Sequence, residues 1–156
     1  GAMAEEVAEI ILPASTWILF FDASCSINSP AFWSTNDAVD RIWRLKIAHE
    51  LVLLQVVLEG YFKVRCILRS SAPAFEMVNA DVSELVSIVL PSGRLVACTT
   101  DEPTLNRHVL TVPPGRYRVL REWSVHEESK HYDVESAEAY PADEGPDGII
   151  TLWPER

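Results

Sequence analysis

Leu110-Thr111-Val112-Pro113-Pro114-Gly115-Arg116-Tyr117-Arg118-Val119-Leu120-Arg121-Glu122-Trp123-Ser124-Val125 decides the fold. Pro113-Pro114-Gly115 is a turn, because proline fixes φ and glycine tolerates positive φ. Beyond it Tyr117, Val119, Arg121, Trp123 and Val125 alternate with Arg116, Arg118, Leu120, Glu122 and Ser124. One face is mainly apolar and the other mainly polar, the pattern of a half-exposed antiparallel strand over Arg116–Val125.

Working outward, short strands separated by turn signals recur. Ser15–Asp22 reads as a first strand and Ala23–Pro30 as a small-residue loop. His49–Leu58 and Tyr61–Arg69 flank Glu59-Gly60, a spacing that predicts a tight hairpin. Ser70–Ala74 is a turn before a loosely alternating Phe75–Leu90. Pro91–Arg94 turns into Leu95–Thr99. After a loop at Thr100–Pro103 comes a strand over Leu105–Val112. Tyr132–Tyr140 is a weaker strand, Asp143–Gly148 a turn-rich loop, and Ile149–Trp153 a closing strand.

One short helix is expected near residues 35–44. Ser34 or Thr35 can cap it, Asp37 and Asp40 suit its first turns, and Ala38, Val39, Ile42 and Trp43 recur at helical spacing. The fold class is therefore mainly β: an antiparallel two-sheet sandwich or open barrel with one helix. The 156 residues suit a single domain over 5–156, and Gly1–Ala4 reads as an expression-tag remnant.

Composition narrows function. A net charge of −10 argues against nucleic acid and anionic membrane as partners and favours a basic protein. No apolar run is long enough to span a bilayer. Cys25, Cys66 and Cys98 are odd in number, without paired spacing and set in or beside apolar runs, so buried reduced thiols and a cytoplasmic setting are expected.

Chemistry-bearing motifs are sparse. GxSxG, GxxxxGK[ST] and GxGxxG are all absent. His126 and His131 lie among Glu127, Glu128 and Asp133, but H-x4-H is not the helical zincin spacing and no EF-hand pattern is present. Neither catalytic residues, a metal nor a cofactor is assigned, and the protein is not expected to be an enzyme. A small hydrolase or ligand site at His126/His131 is kept as an alternative, as is an oligomerisation module pairing through Tyr132–Tyr140.

Charge placement is the informative feature. Between Glu122 and Asp147 stand nine acids against Lys130 alone, so this acidic C-terminal third (122–147) holds eight of the ten net negative charges. Concentrated negative potential speeds encounter with a basic surface. The expected partner-binding residues are Glu127, Glu128, Asp133, Glu135 and Glu138. Of five tryptophans, Trp17 and Trp123 sit within apolar strands and read as core. Trp33 and Trp153 flank loops and are candidate interface anchors.

Ser34-Thr35-Asn36-Asp37-Ala38-Val39 before the strands, and Val112-Pro113-Pro114-Gly115-Arg116-Tyr117 leading towards Trp123, together resemble the competence protein J family of bacterial nuclease inhibitors. The resemblance covers roughly Ser15–Val125 and departs in the acidic C-terminal third. It implies an all-β sandwich that inhibits a nuclease by direct binding; the departure in the acidic third leaves open a different partner, such as a toxin neutralised by a cognate immunity protein. It carries over no inhibitory residues.

Overall fold

The computed structural model describes residues 5–156; the expected tag remnant Gly1–Ala4 lies outside the described residues. Nine strands form two sheets. They are β1 (Glu6–Ala14), β2 (Trp17–Asp22), β3 (Leu51–Gln55), β4 (Gly60–Leu68), β5 (Val82–Leu90), β6 (Arg94–Thr99), β7 (Arg107–Thr111), β8 (Gly115–Trp123) and β9 (Gly148–Pro154). The helices are α1 (Pro30–Trp33), α2 (Ala38–Ile47) and α3 (Val125–Ser129). No helix among the described residues is long and apolar enough to cross a membrane.

The five-stranded sheet runs β1-β4-β9-β8-β5 and the four-stranded sheet β3-β2-β6-β7. All pairs are antiparallel except β4 with β9. The sheets face each other as a sandwich, not a closed barrel. Alternation explains the core. Phe62, Val64, Cys66, Tyr117, Val119, Trp123, Ile150 and Leu152 meet Ile18, Phe20, Val52, Leu54, Leu95 and Ala97 of the other sheet. The opposite parity of the four-stranded sheet, Leu19, Phe21, Leu51, Leu53, Val96 and Cys98, packs on Phe32 of α1 and Ile42 of α2. Those strands are buried on both faces, which is why they read as continuous apolar runs.

The sequence expectations need several corrections. Glu59-Gly60 does not close a hairpin: β3 pairs with β2 and β4 with β1 and β9, so the connection carries the chain from one sheet to the other. The N-terminal strand β1 was not foreseen. Phe75–Asp81 is loop, and only Val82–Leu90 is strand. Tyr132–Tyr140 is a series of turns, held by the Val134 and Tyr140 amides on the carbonyls of His131 and Ala137 and by the Ala139 amide on the Ser136 hydroxyl. Its polar side chains offer local acceptors that compete with a ladder.

Helix α2 begins at Ala38, later than expected. Asp37 is its N-cap residue, and the Thr35 hydroxyl bonds the Asp37 carboxylate instead of capping the helix. Its C-terminus is a Schellman motif: the Glu50 amide donates to the Leu45 carbonyl and the His49 amide to that of Lys46. His49 occupies the left-handed position, φ 61°. His49→Gly removes the Cβ penalty there and is expected to stabilise the fold by about 0.5–1 kcal/mol in urea denaturation.

A tighter constraint lies at Gly60, where an added Cβ would stand 2.5 Å from the His131 carbonyl oxygen. Gly60→Ala is therefore expected to cost about 2 kcal/mol, since backbone must move on both sides. The same urea curves measure it.

Candidate functional site

The chain leaving β8 must return to β9 in the middle of the five-stranded sheet, and residues 124–147 span that gap at one end of the sandwich. Ser124 caps α3 by accepting the Glu127 amide. Glu128 on α3 is 0 % exposed. Its Oε1 accepts the amides of Val57 and Leu58 at 2.7 and 2.5 Å, and its Oε2 accepts the Trp123 indole N–H at 2.7 Å. Asp147, also 0 % exposed, accepts the Lys63 amide at 2.7 Å and the Tyr140 hydroxyl at 2.9 Å. His131 Nδ1 lies 2.6 Å from its other oxygen.

This buried group fastens the acidic segment to the start of β4. His131 stacks on Tyr140 with ring centroids 4.4 Å apart, and the Lys63 ammonium lies over the Tyr140 ring. Burial pushes the Asp147 carboxyl up, against the lowering effect of its hydrogen bonds. Burial and the adjacent carboxylate push the Tyr140 phenol up. The His–Asp pair has the geometry of a catalytic dyad, but His131 is fully buried and orients structure, not substrate.

Glu122, Glu128 and Asp147 are thus interior acceptors, and the other six acids lie towards solvent. Asp133, Glu135, Glu138 and Asp143 are exposed, Glu144 is half-exposed, and Glu127 pairs with Lys130 at 3.2 Å. Asp133 and Glu135 enter an open groove of about 500 Å³. Its other carboxylates are Glu59, between the sheets, and Asp101, after β6. Leu58, Tyr61 and Tyr132 add apolar and aromatic surface, and no lysine or arginine lines it. Asp101 is steadied by the amide and hydroxyl of Ser15, at 3.2 and 2.8 Å.

The expected contact residues therefore separate. Asp133 and Glu135 come together, while Glu138 is exposed outside the groove lining. Glu128 faces inward, a correction that follows from its three donors. Trp153 is 9 % exposed within β9, so it is not displayed as an anchor. Trp33 is half-buried on α1, its indole N–H bonded to the Ile27 carbonyl at 3.1 Å, away from the groove lining. Trp123 is core as expected, whereas Trp17 is half-buried against Trp43. His126 is exposed and His131 sealed, so they do not form one site. Cys66 and Cys98 are buried, with the Cys98 thiol pushed up to about 12 by desolvation, while Cys25 is half-buried.

Sequence reasoning missed Glu59 and Asp101 because both lie outside the acidic segment, in connections whose placement depends on the strand order. It missed Tyr61 and Tyr132 because single aromatics in strands and turns carry no partner signal.

No family model and no curated protein sequence matches the chain. The fold is similar to that of ComJ. The match is to the crystal structure of ComJ, inhibitor of the DNA degrading activity of NucA, from Bacillus subtilis, at a TM-score of 0.55 and 11% sequence identity. It covers 99% of this chain and 98% of ComJ, so the acidic C-terminal third lies within the shared fold.

Two predictions follow from the buried carboxylates. Glu128→Gln presents an NH₂ donor to a donor and is expected to cost about 3 kcal/mol, lowering Tm by roughly 6–12 °C. The second concerns pH. The Glu122 and Asp147 carboxyls are raised by burial, so their contribution is whole below the unfolded values of 4.5 and 3.8 and declines as pH rises through the folded values. Asp22 and Glu84 are lowered. For Asp22, burial raises the value but hydrogen bonds from Ser24 and Ser92 outweigh it. For Glu84 the cause is Arg121. Their contribution is present above the unfolded values and lost as pH falls through the folded ones. Thermal melts from pH 8 to 2.5 are expected to show highest stability near about pH 5, not pH 8, with loss below about pH 3.5.

Proposed function

We propose that this protein is a proteinaceous inhibitor or immunity protein that binds a basic nuclease or toxin and occludes its active cleft. The observation that carries the reading is the groove of Glu59, Asp101, Asp133 and Glu135 with no cation in its lining. A nuclease cleft is basic because it holds phosphates, and carboxylates spaced along a rigid groove stand in for them. The whole-length likeness to an inhibitor of a DNA-degrading activity supports the same reading, as does the sequence resemblance to the competence protein J family. The proposal includes membership of that family, a non-enzymatic role, and a cytoplasmic setting in which the three thiols stay reduced.

Binding would be led by charge and finished by contact. The groove carboxylates steer encounter, and Leu58, Tyr61 and Tyr132 supply surface that is desolvated on docking. Glu127 and Glu138, outside the groove, add to the field more than to contact.

A nuclease assay on labelled duplex DNA tests this, with NucA and any basic nuclease found encoded beside the gene as the first candidates. A nuclease inhibited by the wild type is expected to lose affinity by about 100-fold for the Asp133→Lys/Glu135→Lys variant. The association rate is expected to fall about tenfold between 50 and 500 mM NaCl, with a smaller change in dissociation. Full nuclease activity at saturating protein for every candidate overturns the reading.

A further inference from the structure

The four sheet edges are not equally protected. On β3 the guanidinium of Arg121 donates to the Leu53 carbonyl, and Glu128 takes the amides that follow the strand. Strand β5, one of the two edges of the five-stranded sheet, is different. It pairs only with β8, in unbroken register from Val82 to Leu90. The Val89 amide points away from β8, to the His49 carbonyl. Strand alternation then points the amides and carbonyls of Ser83, Leu85 and Ser87 outward too. Among the described residues none of them has a backbone partner on that side.

The side chains along this edge are equally open. Leu85 is 55 % exposed and stands on the outer face of the sheet beside Leu120 of β8. Ile47, at the end of α2, is 76 % exposed and lines the same pocket as Leu85. Glu84, the acid in this stretch, is paired with Arg121 at 2.8 Å, so the edge lacks an unpaired inward charge of the kind that prevents strand addition.

We infer that β5 is a dimerisation edge, where a second copy of this chain pairs antiparallel about Leu85 and extends the two five-stranded sheets into one. The outward residues Ser83, Leu85 and Ser87 are symmetric about Leu85, so antiparallel self-pairing matches each with its own kind. Ser83 of each copy stands opposite Ser87 of the other, and Leu85 opposite Leu85. Every outward amide and carbonyl of the three residues then has a partner. Glu84 meets Val86, not a like charge. The apolar row Leu120–Leu85 continues across the two-fold axis.

A second copy suits this edge because the acidic groove lies elsewhere. Gly60, Tyr61, Pro13 and Ala14 place the groove at the β1/β4 edge. The dimer therefore keeps both grooves free at its two far ends. Each copy carries −10, so the residual repulsion between copies is long-range and is screened by salt. Dimerisation strengthens with NaCl, opposite in sign to groove binding, and does not depend on the proposed function.

Sedimentation velocity of the full chain across concentration and NaCl tests this with the protein alone. The wild type is expected to shift with concentration from the 17.5 kDa monomer to twice that mass, and to shift further in high salt. Leu85→Pro removes only an outward amide and is compatible with an edge strand. Leu85→Lys sets two like charges face to face. Both are expected to remain monomeric with the circular dichroism spectrum of the wild type. Should the proline variant fail to fold, the lysine variant decides, because it keeps every backbone group. A wild type that stays monomeric at its solubility limit in high salt overturns the inference. So does a dimer that persists unchanged in a folded Leu85→Lys.

Discussion

Three amides at the sandwich end have no strand to donate to: those of Val57 and Leu58 where the chain leaves the four-stranded sheet, and that of Lys63 where β4 begins. Glu128 and Asp147 accept all three. The Lys63 amide is buried, and leaving it unsatisfied would cost as much as a lost hydrogen bond, so residues 124–147 stabilise the crossing between sheets by bringing acceptors to it. The dependence runs both ways. That segment has no regular structure beyond α3, and its position comes from the donors it reaches. The two walls of the groove, residues 58–61 and 132–135, are therefore fixed against each other through the interior. Gly60 lets them approach closely enough for this.

Carboxylates are expensive interior acceptors, and the expense shows in the raised Asp147 and Glu122 carboxyls. A neutral amide side chain would be cheaper to bury, but it has one acceptor oxygen and places donors where Glu128 needs a second acceptor. Glu122 repeats the device on the outer face of the five-stranded sheet, accepting the amides of Glu76 and Met77 at 3.3 and 3.2 Å and so holding the 70–81 loop. A loop and a crossing that cannot pair as strands are both anchored by buried acids from one short stretch of sequence.

This explains what was legible in the sequence and what was not. Strand positions were readable wherever one face is buried: the Tyr117–Trp123 alternation maps directly onto β8. Apolar runs such as Trp17–Asp22 and Leu51–Leu54 were readable as strands but not as neighbours, because a doubly buried strand shows no parity. That is why Glu59-Gly60 read as a hairpin when it joins two sheets. Strand β1 escaped because Glu6 stands at the start of its inward parity and Val7 and Ile11 flank Glu9 on the other face, which blurs the alternation, and an edge strand needs only Ala8, Ile10 and Leu12 to face inward. The acidic segment was recognised as distinctive, yet Glu128 could not be told from Glu127 by type or spacing. Their difference, one sealed under Trp123 and the other beside Lys130, is set by tertiary donors 70 residues away.

The acidic excess thus has two separate physical roles that composition merges into one number. Glu122, Glu128 and Asp147 answer to backbone donors inside. Among the described residues, Glu59, Asp101, Asp133 and Glu135 have no side-chain partner except Ser15. Four carboxylates left unneutralised around one groove repel one another, and a stiff frame holds them at fixed spacing in spite of this. The buried acids provide that stiffness and the exposed ones exploit it. At the opposite edge of the same sheet, Arg121 spans from β8 to the Leu53 carbonyl and Glu84, neutralising charge where β5 ends the sheet. The groove keeps its carboxylates without a cation, while the β5 edge pairs Glu84 with Arg121. The five-stranded sheet thus carries an acidic groove without cations at one side and a charge-paired edge at the other.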